Sequence, residues 1–512
     1  MVTRLNPLDS MFLYGETSQT MMHVGGLLPF TMPPDAGPDF MRDWMEEIRT
    51  ESVVYPPWNQ KLGTPGFLYN PLHTWTTDKH FDIEYHVRRS ALPAPGDERE
   101  LGILVSRLHS NPLDLTRPPW ELHLIEGLEG NRFALYLKMH HSLVDGYSAM
   151  LLLAKTFSTD PNSRTEQLFF NHPPTQRPPR EVRPGARAAD GVLAQAGTIA
   201  GSLPQFAKSF VNAQFRRRGD HKDLLSSHEA PHSVLNAKIG RNRRFATQQY
   251  DLARLIEIAS RTGATVNDVV LSICGGGLRR FLTEIDELPN ASLVAFLPVN
   301  IRPPGDVGGG NSVGAILATL GSDVADPLER LARVSRSTHQ AKQSLDGMPS
   351  ATALAYSALL LAPSATQIVS AFTGIKTPIP FTFNICVSNV PGPREALYFR
   401  GARLEATYPV SIPIHGMALN ITCESYAGTL NFGFIGDRDA LPHLQRLAVY
   451  TGRALDDLEA AVRAANPPAP ATRRARSTPA RVPVAGPVES AKKARPRKAA
   501  TRKQTPAKDV AQ

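Results

Sequence analysis

A layered fold mixing α-helices and β-strands is predicted for this 512-residue chain, on three observations. Apolar residues follow a helical period in some stretches and a strand period in others, alternating through residues 1–160 and again through 237–465. Between them, residues 161–236 are rich in Pro, Arg and Gly and read as a partly helical crossover. Composition is that of an ordinary globular protein, 42% hydrophobic and 20% charged, long enough for a large core and about two to three domains.

The elements follow in order. Phe40, Met41, Trp44, Met45 and Ile48 lie at helical spacing within residues 38–51. Phe81, Ile83, Tyr85 and Val87 alternate with Asp82, Glu84 and His86, which predicts a half-exposed strand. Leu101, Leu104, Val105 and Leu108 return to the helical period. In the crossover, Val192 to Phe215 carries the helical part. Leu252, Leu255, Ile256 and Ala259 make a helical face that Gly263 closes as a C-cap. Thr265 opens the next helix, and Asp268 stands where a capping box needs an acid.

Strands are expected at 292–299, 313–319, 382–387, 417–423 and 429–434, with helices at 328–345 and 441–464. Gly275-Gly276-Gly277 and Gly308-Gly309-Gly310 lack the setting of a phosphate-binding loop and read as close-packing or turn glycines. The uncharged interval Gly347 to Ile375 contains Pro349, Pro363 and Gln367, so it is a poor bilayer span. A buried helix pair or a lipid-contacting surface both suit it.

Charge is unevenly distributed. Residues 466–512 hold 12 of the 56 Lys and Arg but only Glu489 and Asp509 of the acids, so the rest of the chain is nearly neutral. That excludes a globally basic nucleic-acid binder. The tail has almost no large apolar residue and is expected to be disordered, with electrostatic attachment to anionic lipid as a functional version. Cys274, Cys386 and Cys423 are too scattered for a disulfide framework or a metal site, and reduced thiols are the default. The N-terminal stretch does not read as a signal peptide.

One stretch carries chemistry. Phe133 to Leu137 suits a buried strand, and His140-His141-Ser142-Leu143-Val144-Asp145-Gly146 follows it. Ala149 to Leu153 with Phe157 then suits a helix whose first turn holds Asp145. The histidines therefore stand at a strand-to-helix junction, where a rigid scaffold can present a side chain to a cleft. A neutral imidazole, with an ordinary pKa of about 6.5, can take a proton from a hydroxyl, the task assigned to His141.

The pattern His-His-x-x-x-Asp-Gly resembles the signature of the chloramphenicol-acetyltransferase-like superfamily. Further stretches narrow the resemblance to bacterial wax ester synthase/diacylglycerol acyltransferases. Pro7-Leu8-Asp9-Ser10-Met11-Phe12-Leu13 looks like that family's opening. Pro118-Pro119-Trp120-Glu121 with Gly127 is similar to its Pro-Leu-Trp element, departing at Pro119. Asn267-Asp268, Pro298-Val299-Asn300-Ile301-Arg302 with Gly310-Asn311, and Ser388-Asn389-Val390-Pro391-Gly392-Pro393 complete the ordered set, which runs from about residue 5 to 463.

The resemblance implies two similar subdomains, 1–160 and 237–465, each a sheet flanked by helices, with a substrate tunnel between them. It implies transfer of a long-chain acyl group from acyl-CoA to the hydroxyl of diacylglycerol, giving triacylglycerol, and to long-chain alcohols, giving wax esters. His141 would be the general base, His140 its neighbour, and Gly146 a point of close backbone approach. Asp145 would pair with Arg302 and brace the loop. Asn267 would donate to the developing oxyanion, while Asp268 and Trp120 would give structural support. Ser142 has a weaker case as a polar wall.

Acyl-CoA is the co-substrate, and no metal or redox cofactor is called for. No Gly-x-Ser-x-Gly motif marks a serine nucleophile, so direct transfer is favoured over an acyl-enzyme. The expected place is the cytoplasm, peripherally on the inner membrane or on lipid inclusions. Two alternatives stay open. One is a polyketide-associated or condensation-type acyltransferase fed by a carrier protein, for which Asn431-Phe432-Gly433-Phe434 is the nearest string to the Asp-Phe-Gly-Trp-Gly latch. The other is a lipid-surface binder with an inactive acyltransferase-like body; no specific nucleic acid is expected.

Overall fold

The alternating apolar pattern folds into two large sheets in the computed structural model, which describes residues 2–5, 7–143, 152, 155–173, 225–300, 313–345, 348, 350–375 and 380–465. The first sheet has the order β12 (Tyr398–Phe399), β13 (Ala402–Leu404), β2 (His23–Thr31), β7 (Arg132–His140), β6 (Trp120–Leu128), β5 (Val87–Ala91), with β14 (Tyr408–Val410) also paired to β2. The second runs β10 (Val313–Thr319), β9 (Val294–Asn300), β11 (Ile385–Val390), β15 (Leu419–Tyr426), β16 (Thr429–Asp437), β8 (Arg243–Asp251). A small third sheet joins β1 (Val2–Arg4), β4 (Thr74–Thr77) and β3 (Gln60–Leu62). Three strands of the first sheet, β12 to β14, come from the C-terminal part of the chain, so sheet membership crosses the division at residue 237.

Helices cover the sheets: α1 (Pro7–Tyr14), α2 (Phe40–Glu51), α3 (Ile83–His86), α4 (Glu98–His109), α5 (Leu252–Thr262), α6 (Val266–Glu284), α7 (Pro327–Gln343), α8 (Ser350–Leu361), α9 (Ser364–Thr373) and α10 (Leu444–Ala465). In α2, Met41, Trp44, Met45 and Ile48 are the buried face. In α5 the face shifts by one contact: Ile258 is buried and Ile256 exposed, while Gly263 closes the helix at φ +71°. Residues 83–86 correct the strand expected there. Asp82 accepts from the Glu84 amide and caps a helical turn before β5 begins, a local hydrogen bond that overrides the alternation.

The two sheets are tied through α4. β8 is an edge strand, and Ser106 of α4 and Ser110, the residue that follows it, accept from the backbone amides of Phe245 and Arg243 at 2.9 and 2.8 Å. Donors that would otherwise lie open are thereby satisfied. Gly275, Gly276 and Gly277 lie buried within α6, where their role is close packing. A Cβ on Gly275 would stand 1.9 Å from the Leu320 carbonyl oxygen, and one on Gly277 2.6 Å from the Thr451 hydroxyl. Gly308 to Gly310 and the Val192 to Phe215 segment lie outside the described residues.

The interval 347–375 forms the pair α8 and α9, broken at Pro363. By length and composition alone Thr352–Thr373 could cross a membrane, though a third of it is buried in the protein. All three cysteines are buried free thiols.

On the α4 side of the first sheet sits an ionic network. Lys138 Nζ lies 3.1 Å from Glu121 and donates to the carbonyls of Leu108 and Asn111, with His123 and Arg88 also on Glu121. Against the cost of burial, the His123 hydrogen bond and the Lys138 and Arg88 charges hold the Glu121 carboxyl down to about 2. Glu121→Gln would strand the Lys138 charge, and we expect a loss of about 3–5 kcal/mol in denaturant unfolding at pH 7. The carboxyl holds its proton less tightly folded than unfolded, where its pKa is about 4.3. Its contribution is therefore complete above that pH and fades as the pH falls towards 2, so the gap between wild type and variant narrows over that window. Gly275→Ala is expected to cost about 1–3 kcal/mol by overpacking, read in the same unfolding assay.

Candidate active site

Strand periodicity decides what each histidine faces. Along β7, Leu135, Leu137 and Met139 share one face, and Tyr136, Lys138 and His140 the other. Opposite them on β2 stand Leu28, Gly26 and Val24, paired in register with the first set. These six residues form one wall of a cavity of about 840 Å³. β9, β11 and β15 supply the facing wall, including Phe296, Cys386, Ser388, Asn420, Thr422 and Glu424.

His141 follows β7 on the cavity side. Its amide donates to the Met22 carbonyl at 2.9 Å, extending the β2–β7 pairing by one step. Its ring stacks on Phe12 of α1, centroids 4.0 Å apart and planes 13° off parallel, and it lines the cavity. A turn closes directly behind it, where the Leu143 amide donates to the His140 carbonyl.

His140 points the other way and is 1% exposed. Its Nδ1 lies 2.7 Å from the Ser142 hydroxyl, and its Nε2 lies 3.6 Å from Glu16 Oε2. Glu16 also accepts from the Met22 amide, so one carboxylate touches both the His140 ring and the residue that anchors His141. Ser142 is buried against His140 and does not line the cavity. Deeper on this face, His109 Nδ1 lies 2.7 Å from the Tyr136 hydroxyl, and His23 Nε2 lies 3.0 Å from the His109 carbonyl. Burial above all, then Lys138 and their histidine or arginine neighbours, push both imidazoles well below the ordinary range. They are neutral packing groups.

The other predicted residues are dispersed. Trp120 is fully buried, donates to the Trp58 carbonyl at 2.7 Å and stacks against His86 and Phe170. Asp268 completes the capping box with Thr265 and accepts from Ser335 and Thr338, tying α6 to α7. Asn267 is half-buried in the first turn of α6 and does not line the cavity that holds His141, so the geometry gives no support to an oxyanion role for it. The start of α6 is bound to α7 instead, through its neighbour Asp268. Asp145, Gly146 and Arg302, with their expected ion pair, lie outside the described residues, as do Gly310 and Asn311.

Three residues were not legible as site residues. Phe12 sits within a quoted motif but shows its stacking role only in space, Glu16 lies far from His140 in sequence, and Glu424 reaches the cavity through the period of β15. Glu424 is 7% exposed, and burial pushes its carboxyl up to about 8, partly offset by the Thr407 hydroxyl. No string of residues around Glu16 or Glu424 marks either of them.

Residues 5–270 match the wax ester synthase/diacylglycerol acyltransferase catalytic domain, and residues 309–459 match the C-terminal domain of the same family. A Mycobacterium tuberculosis protein named as a diacylglycerol O-acyltransferase is 55% identical over 486 residues, covering 90% of this chain and 97% of the relative. The O-acyltransferase WSD of Acinetobacter baylyi is 40% identical, covering 87% and 94%. The solved wax ester synthase/diacylglycerol acyltransferase of Marinobacter aquaeolei superposes with a TM-score of 0.70 at 37% identity, over 90% of this chain and 99% of that one. The first condensation domain of the calcium-dependent antibiotic synthetase shares the fold, with a TM-score of 0.54 at 15% identity over 90% of this chain and 96% of that one. With His141 placed at an apolar cavity between two sheets and both domains matched in order, the chain belongs to the wax ester synthase/diacylglycerol acyltransferase family.

Proposed function

We propose that this protein transfers a long-chain acyl group from acyl-CoA to the hydroxyl of diacylglycerol, with long-chain alcohols as a second class of acceptor. The observation that carries the reading is His141, held at the end of β7 with its ring on Phe12 and facing a cavity whose lining is mainly apolar. The imidazole takes the proton of the acceptor hydroxyl as its oxygen attacks the thioester carbonyl. The tetrahedral intermediate then collapses, the carbon–sulfur bond breaks, and the proton passes to the departing thiolate. The products are an oxygen ester and free CoA.

The chain supplies orientation and dryness. β2, β7 and Phe12 fix the ring, and the two walls hold both substrates in one water-poor space, which raises their effective concentration. Acyl-CoA is bound as substrate, with no resident cofactor in this scheme. We further propose peripheral attachment to the cytoplasmic face of the membrane or to lipid inclusions. In its support, α9 and the residues after it leave Val369, Phe372 and Ile375 at least 58% exposed, beside α8, whose Leu361 lines the cavity.

Purified protein incubated with labelled palmitoyl-CoA and either diolein or hexadecanol should form the corresponding ester. His141→Ala should lower kcat by about 10² to 10⁴ while leaving the unfolding midpoint near that of wild type. Undiminished ester formation by the variant would remove His141 as the base.

A further inference from the structure

The cavity has a second chemically distinct end. Asn420, Thr422 and Glu424 alternate along β15 and all face it, while Leu419, Ile421 and Cys423 turn into the core. Asn420 and Thr422 are satisfied, Thr422 donating to Asn420 Oδ1 at 3.0 Å and the Asn420 amide donating to the Ile412 carbonyl. Glu424 is different. Its Oε1 and the neighbouring Thr407 hydroxyl are both buried and neither makes a full hydrogen bond among the described residues, although the hydroxyl stands near enough to the carboxyl to draw its pKa down in part. Nor does Glu424 form an ion pair with any described Lys, Arg or His. An apolar residue here would continue the wall, whereas a buried polar group left unmatched costs about 1–3 kcal/mol.

The position of this pair is set by strand register. Tyr408 pairs with Leu27, so Thr407 continues to a level opposite Leu28, whereas His141 bonds Met22 at the other end of β2. At about 3.3 Å per residue the two levels are roughly 20 Å apart, a span on the scale of a long acyl chain. Gly392 lies against both the Ser425 backbone and this carboxyl: a Cβ there would stand 2.1 Å from the Ser425 carbonyl oxygen and 3.0 Å from Oε1. Burial pushes this carboxyl up to about 8, which favours its protonated form, and in that form it can both donate and accept.

We propose that Glu424 and Thr407 form a hydroxyl-binding site at the far end of the cavity, selecting acyl or alcohol chains that carry an oxygen near their distal end. A chain hydroxyl can accept from the protonated carboxyl and donate to Thr407, satisfying both groups at once. The inference rests on the reading of His141 as the centre of acyl transfer and concerns the chain that lies in that cavity. The hydroxyl could belong to the donor or to the acceptor.

The test compares matched chains in wild type, Glu424→Leu and Glu424→Gln. On the donor side, ω-hydroxypalmitoyl-CoA is set against palmitoyl-CoA; on the acceptor side, hexadecane-α,ω-diol against hexadecanol. Wild type should favour the hydroxylated member of one pair by about tenfold in kcat/KM, the scale of one hydrogen bond. Glu424→Leu should abolish or reverse that preference, read as the ratio of the two matched chains within each variant, and Glu424→Gln should keep most of it. The pair that responds identifies the source of the hydroxyl. Equal use of both members by wild type, or a preference that survives Glu424→Leu, overturns the proposal. Absence of ester from the plain substrates in wild type would instead overturn the acyltransfer reading.

Discussion

The β2–β7 pairing is the constraint on which the site depends. Because side chains alternate along a strand, a slip of one residue would turn Tyr136, Lys138 and His140 into the cavity and bury His141 on the opposite face, the side where Glu16 now meets His140. Register is fixed from both faces. Leu28, Gly26 and Val24 must meet Leu135, Leu137 and Met139 on the cavity side, while on the other side Lys138 must reach Glu121 of the neighbouring strand β6, which fixes the face that β7 turns away from the cavity. The buried ion pair thus has a use beyond stability: it penalises the wrong register more heavily than apolar packing would. Gly25 adds a steric limit, since a Cβ there would lie 2.8 Å from the Leu137 carbonyl oxygen.

How much of this could be read from residues alone depended on whether the signal was local. α4, β10, α7 and the capped start of α6 came out close to their bounds, because hydrophobic period and capping act within a few residues. The segment 83–86 failed because Asp82 offers the backbone a local bond that periodicity does not see. β2 has two glycines and a proline, β12 to β14 are two or three residues long, and β8 is largely polar, so none shows a clear strand pattern. Their pairing partners, not their own propensities, make them strands.

The same distinction applies to the site. His141 was legible because its motif is contiguous and its strand is strongly apolar. Phe12, Glu16 and Glu424 join the cavity or its histidine pair across long separations in sequence: Phe12 from α1, Glu16 from the loop after it, and Glu424 through the register of β15. Asn267 illustrates the converse: a polar residue in a helix's first turn can face a cleft, but here that turn belongs to the α6–α7 contact organised by Asp268.

The contrast between the two ends of the cavity follows from the same strand logic applied to the second sheet. β15 must present Leu419, Ile421 and Cys423 to the helices behind it, so residues 420, 422 and 424 are committed to the cavity whatever their chemistry. An acyl chain is served by apolar groups at all three. Asn420 and Thr422 offset their polarity by bonding each other and the Ile412 carbonyl, and so present a quiet wall. Glu424 makes no such full hydrogen bond through its Oε1 among the described residues. A carboxyl whose charge is disfavoured by burial and which faces an apolar chamber is a costly way to build a wall and an effective way to recognise an oxygen atom, which is why the far end of the cavity reads as a specificity element.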